Sequence, residues 1–302
     1  MSADAGMLCL GEALVDFVGV ERGASLGEIR RFAPHLGGTV ANVAAVAARA
    51  GAHVELAGAA GGDEWGRWIR ARLTAERVGL DGFVLLDDVG TQLAFVSVDD
   101  EGEPTYRLYG EPAETVVAAL GDRVDELVAG ARGLLISSNT LAGPRERALT
   151  MRARRVALDL GRAVVFDCNL RLHRWARTEE AVAAVRDCVP GAALVHANHD
   201  EARLMTGEAE AERAAAALVA MGARLVAITL GSRGAIVRGA ACADVDAIPV
   251  RVVSTIGAGD AFTGTLVARL AATEFAAEGM ADALADAASA AAQACTHWGS
   301  LD

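Results

Sequence analysis

The stretch STIGAGDAF (254–262) sets two glycines around an alanine and puts an aspartate directly behind them. Glycines let consecutive amides turn inward to form a concave anion site, and a helix starting there adds its positive end. Such a turn suits a phosphate whose charge grows during transfer. Asp260 then has two readings. It caps the helix, a position that favours Asp, or it is a base that takes a proton from a hydroxyl beside the phosphate. GGTVANVA (37–44) offers a second glycine pair before a helix, with Asn42 among apolar residues. A buried Asn wants a polar partner, either a neighbouring loop or a ligand. NHDE (198–201) closes an apolar run with an amide and a carboxylate, where α/β sheets bind ligands. TLGSRG (229–234) follows another apolar run, as a nucleotide-supporting loop or a plain hairpin turn would.

These residues need elements to hold them. Short apolar runs at 7–10, 53–58, 133–138, 163–167, 193–198 and 225–230 predict buried strands, and the patterns at 40–51, 65–79, 145–161 and 210–222 predict helices ending at glycine. Alternation of this kind implies one α/β domain spanning 1–302, a central, mostly parallel sheet with helices on both faces. TQLAFVSVDDEGEPTYRLYG (91–110) breaks the rhythm: it alternates at period two on both sides of an acidic turn and predicts a β-hairpin. That hairpin, with the segment at about 17–36 beside it, is expected to project as a small β lid or a subunit contact. The alanine-rich stretch 279–296 predicts helical cover for the sheet.

Composition narrows the partners. The chain has 302 residues, 53% of them hydrophobic, enough for a sizeable core. Its net charge of −12, with no basic cluster, argues against nucleic acid and for small molecules. There is no lysine: all 28 basic residues are arginine. A P-loop lysine or a Schiff base is therefore impossible, and any phosphate must be met by amides, arginine or a metal. The five cysteines form no CxxC and read as reduced, small apolar residues. The histidines show no metal spacing, and His196 reads as a core residue. The first residues lack a basic region and a long apolar run, and no stretch is long enough to span a membrane, so a cytoplasmic protein is expected.

Taken together and in this order, GGTVANVA, NHDE, TLGSRG and STIGAGDAF resemble the ribokinase-like (PfkB-type) family of carbohydrate kinases over essentially the whole chain. The resemblance implies a central sheet flanked by helices with a β lid, ATP and Mg²⁺ as cofactors, and a sugar as acceptor. It makes Asp260 the catalytic base and the amides of Gly257, Ala258 and Gly259 an anion hole. Asn198 and Glu201 would help hold phosphates and Mg²⁺, Glu201 through water. Thr229, Gly231 and Gly234 would border the nucleotide. Asp16, Gly38 and Asn42 match positions that bind sugar hydroxyls, and Arg171, in FDCNLR, resembles an arginine near substrate and transferred phosphate.

Two departures stand out. Ser254 replaces the acid that usually opens the family signature and often helps bind a monovalent cation, so K⁺ activation is expected to be weak. Ser289 stands where many members carry an Asn near the nucleotide base. GEALVDF, FDCNLR and TYRLYG look most like fructokinases and 2-keto-3-deoxygluconate kinases. Arg107 is the lid's candidate for a substrate carboxylate, but alternation puts it opposite Tyr106, and the sequence leaves the inward face open. The acidic DDEGE turn favours a neutral sugar such as fructose. A nucleoside kinase and a sugar sensor without catalysis are the other readings. The hairpin's exposed edge is compatible with a homodimer through the lid.

Overall fold

A computed structural model describes residues 6–110, 118–276, 278–299 and 301. Residues 1–5, where the leader reading began, lie outside it. Among the described residues thirteen strands run in chain order: β1 (Met7–Leu10), β2 (Leu14–Gly19), β3 (Phe32–Gly37), β4 (Val54–Gly61), β5 (Phe83–Leu86), β6 (Leu93–Val98), β7 (Pro104–Tyr109), β8 (Gly133–Ser137), β9 (Ala163–Asp167), β10 (Leu194–Asn198), β11 (Leu225–Thr229), β12 (Ala235–Gly239) and β13 (Ala243–Val245). Among the described residues the helices are α1 (Thr39–Arg49), α2 (Glu64–Ala75), α3 (Arg123–Gly130), α4 (Pro144–Asp159), α5 (Thr178–Arg186), α6 (His199–Thr206), α7 (Ala211–Ala220), α8 (Ala258–Ala272) and α9 (Met280–Ala294).

Nine strands form one sheet in the order β13-β12-β11-β10-β9-β8-β1-β4-β5, parallel from β5 to β11 and antiparallel at the β12 and β13 edge. Its inner strands are apolar at nearly every position because helices cover both faces. Val43, Leu56, Ile69, Leu266 and Leu284 pack on one side, and Leu134, Phe166, Val195 and Leu218 on the other. The six sequence-predicted strands are all present. β2, β3, β6 and β7 make a separate sheet in the order β3-β2-β6-β7, antiparallel except between β2 and β6.

Local chemistry sets the helix ends. Pro144 opens α4, where its missing N–H costs nothing. The Asp63 carboxylate accepts the Gly66 amide at 2.9 Å and caps α2. That helix stops at Ala75, four residues before the expected glycine, because Arg77 already turns left-handed at φ 63°. α1 and α8 approach closely where Gly264 replaces a side chain: a Cβ there would lie 2.7 Å from the Val46 Cβ and 2.8 Å from the Val43 carbonyl. This contact places the start of one helix beside the start of the other.

Candidate active site

The C-terminal ends of β8 to β11 open into a cavity of about 760 Å³, walled by the small sheet on one side and by the start of α8 on another. Ligands in open α/β sheets bind at this edge. Asp16, Gly38, Asn42, Arg107, Arg171, Asn198, Glu201, Thr229, Gly257, Gly259 and Asp260 all border it. Gly231 and Gly234 do not. They shape the hairpin between β11 and β12, the alternative reading of TLGSRG. Gly234 needs φ +92°, and a Cβ there would strike the Val245 carbonyl.

Asp260 sits in the first turn of α8, where Gly257 takes a left-handed φ of 74° to start the helix. The Ala258 amide folds back onto the Thr255 carbonyl at 3.2 Å, so it is spent within the turn. The amides of Gly257, Gly259 and Asp260 meet no backbone carbonyl among the described residues, as expected of a helix start. Of the three amides expected to line an anion hole, that of Ala258 is therefore taken within the turn, and that of Asp260 is left open beside the other two. Asn42, three residues into α1, donates its Nδ2–H to Asp260 Oδ2 at 2.9 Å, while its own Oδ1 is buried without a partner. Asn42 thus orients the acid and leaves one acceptor for a ligand. Burial pushes the Asp260 carboxyl up to about 7; the Asn42 bond and Arg171 oppose that rise, and the Asp167 and Glu12 carboxylates add to it.

Asp16, on β2, faces the same cavity and is also pushed up to about 7 by burial, against the pull of His35 and Arg171. Alternation along β7 turns Tyr106 toward these acids, with the Arg171 guanidinium 5.8 Å from its ring centroid. Arg107 points the other way on the strand, is exposed, and reaches only the rim. There it joins Arg171, His173 and Arg174, and the three guanidinium groups, after burial, hold the His173 ring below the usual histidine range. Arg107, Arg171 and Arg174 make no ion pair with a carboxylate among the described residues.

Asn198 and Glu201 form a reciprocal capping box at the start of α6. The Glu201 amide donates to Asn198 Oδ1 at 2.9 Å, and the Asn198 amide donates to Glu201 Oε2 at 2.9 Å. Glu201 Oε1 accepts the Leu170 amide at 2.7 Å. Ser254 is fully buried, and its Oγ accepts the Ile256 amide at 3.1 Å. Ser289 is exposed on α9 and outside the cavity wall.

Two polar groups, Glu12 and Asp167, escaped the sequence reading. Glu12 is buried, accepts from the Thr39 amide and the Asn139 Nδ2 at 3.0 Å each, and leaves Oε2 without a partner. Its signal was a lone carboxylate in an apolar stretch, which a fold tolerates only when paired or protonated. Asp167 ends β9 and hydrogen-bonds His196 Nδ1 at 2.9 Å. His196 is buried, as expected, but its ring borders the cavity as well as the core.

A cavity at the carboxyl edge of a doubly covered sheet, with an acid beside helix-start amides, is the arrangement of a ligand-binding α/β protein. Comparison with known proteins gives the family. The model of the pfkB family carbohydrate kinases matches residues 4–302, and the chain belongs to that family. Fructokinase-1 of Oryza sativa subsp. japonica is 32% identical over 270 residues, covering 87% of this chain and 82% of the relative. A fructokinase from Vibrio cholerae O395, solved with fructose, ADP and calcium ion bound, superposes with a TM-score of 0.84 at 27% identity, covering 99% of this chain and 96% of the other. A fructokinase from Xylella fastidiosa with bound ATP gives 0.82 at 27% identity, covering 98% and 94%. The protein is a carbohydrate kinase with a ribokinase-like fold, and no helix among its described residues is long and apolar enough to cross a membrane.

Proposed function

We propose that this enzyme transfers the γ-phosphoryl group of ATP to a hydroxyl of a small neutral sugar, in the manner of a fructokinase. The observation that carries the reading is the Asn42–Asp260 pair beside the free amides of Gly257, Gly259 and Asp260, in the cavity that also holds Asp16. Asp16, Gly38 and Asn42 would hold sugar hydroxyls, with the small sheet as a lid that excludes water. Asp260 would take the proton from the acceptor hydroxyl, whose oxygen then attacks the γ-phosphorus in line. The amides and Arg171 would meet the charge on the transferred group. Asn198 and Thr229 would border the nucleotide, and the hairpin that carries Gly231 and Gly234 would back it.

Mg²⁺ fits this site through its water shell. Both Glu201 oxygens already accept a backbone N–H, so each keeps a lone pair for a metal-bound water. When bound, such an ion neutralises phosphate charge. Ser254 brings a neutral oxygen that already accepts the Ile256 amide, where a carboxylate would bring charge, so a monovalent cation would be held weakly there. Turnover should rise little when K⁺ replaces Na⁺ at equal ionic strength.

The rim supports a second reading. Arg107, Arg171, His173 and Arg174 could receive a carboxylate, as in 2-keto-3-deoxygluconate kinase. ADP release from MgATP across fructose, 2-keto-3-deoxygluconate, ribose, glucose and adenosine decides between them, with Asp260→Asn as the blank. Turnover on fructose that falls by several orders of magnitude in the blank is the expected result. Preference for the sugar acid, lost in Arg107→Ala, selects the second reading. Near-normal turnover of Asp260→Asn refutes the assignment of the base.

A further inference from the structure

The turn between β6 and β7 is fastened to the loop that opens α8. Arg22, in the loop between β2 and β3, donates its Nε–H to the Asp99 carbonyl at 3.1 Å and an Nη2–H to the Asp100 carbonyl at 2.7 Å. Its Nη1–H goes to the Val252 carbonyl at 3.2 Å. Beside it the Thr255 amide donates to the Gly102 carbonyl at 2.9 Å, and the Thr255 hydroxyl to Glu103 Oε2 at 3.1 Å. The surfaces meet without slack. Gly102 runs at φ +93°, and a Cβ there would lie 2.8 Å from Val252 Cγ1; Gly23 runs at φ +74°, and a Cβ there would lie 2.6 Å from Asp100 Oδ1.

Arg22 is exposed, borders no part of the cavity and has no carboxylate partner among the described residues. Neither an ion pair nor a ligand explains why it gives three donors to main-chain oxygens. The planar fork of arginine can hold carbonyls from two segments at once, which an ammonium on a flexible stem does poorly. Without it the Thr255 contacts would be a single pivot.

We propose that Arg22 is a positioning residue for phosphoryl transfer: it locks the 99–103 turn of the cavity wall to the 252–255 loop, so that the wall over the sugar and the amides facing the phosphate move as one body. The proposal rests on the kinase reading only for the identity of the two ligands. A ligand that orders one side then spares the other part of its ordering cost, and the coupling is reciprocal.

Amide hydrogen exchange on the full chain tests this with Arg22→Ala and Arg22→Lys. Without ligand, Arg22→Ala should speed exchange about tenfold in both 99–103 and 252–257, as loss of hydrogen bonds from a charged donor implies. Arg22→Lys should fall between, whereas a pure charge effect would leave it at wild-type rates. Faster exchange in 99–103 with 252–257 unchanged overturns the proposal. Mg·ADP should protect both segments in the wild type but only 252–260 in Arg22→Ala; equal protection of the turn in the two proteins also overturns it. Failure of Mg·ADP to protect either segment in the wild type would count against the nucleotide facing this loop, while the ligand-free comparison still decides the lock.

Discussion

As the proposed base, Asp260 would work only as a carboxylate, and its surroundings set where that form prevails. Its proton affinity is raised by burial and moderated by the Asn42 hydrogen bond, which the ionised form accepts. A group raised to about 7 is charged above that pH, so kcat/KM should fall as pH drops through it. Asn42→Leu removes the donor and should move the acid limb upward by about one pH unit. A limb that stays in place in this variant would show that Asn42 does not act on the base. The Ala258 amide shows how fine the reading must be at this scale. Its neighbour's φ of 74° turns it to the Thr255 carbonyl, a detail that glycine spacing cannot convey.

At the scale of elements, the pairing of α1 with α8 keeps the acid and its partner together. Gly264→Ala would add a methyl 2.7 Å from the Val46 Cβ and 2.8 Å from the Val43 carbonyl, so the helices must part. Overpacking of this kind costs about 1–3 kcal/mol. The variant should therefore melt earlier and lose kcat out of proportion to KM, since residue 264 borders no part of the cavity. An earlier melt with unchanged kcat would show that the site tolerates the shift. Strand positions were legible because burial on both faces leaves nearly unbroken apolar runs, as in AVVFD, which is β9 to the residue. The small sheet was found one strand short. β2 begins at Leu14 and carries Asp16, but it is buried on both faces apart from half-exposed Phe17, so it shows no clean alternation. The short α3, α5 and α6 lacked enough turns for a period to emerge, and α6 is anchored by the same NHDE stretch that was read as a ligand site. Helical capping and ligand binding ask for the same residue types at the same spacing.

At the scale of the molecule, the outer face of the small sheet carries a connected set of rings. Phe17 stacks on Phe95 at 5.3 Å, and Phe32 and Tyr109 meet Phe95 edge-on at 5.1 and 5.5 Å. Tyr109 is 55% exposed. A homodimer would cover this face; if it forms, sedimentation equilibrium should give twice the chain mass, falling to one chain in Tyr109→Asp. A single-chain mass for the wild type at micromolar concentration would reject it.

The rim arginines, which make no ion pair with a carboxylate among the described residues, matter beyond the fit of any one substrate. The chain as a whole carries a charge of −12, so most of its surface turns polyanions away. Arg107, Arg171 and Arg174 set positive charge against that background along the cavity wall, which Glu103 also borders. An anion that meets these guanidinium groups would be drawn toward the entrance, which would shorten its search before any contact inside has formed.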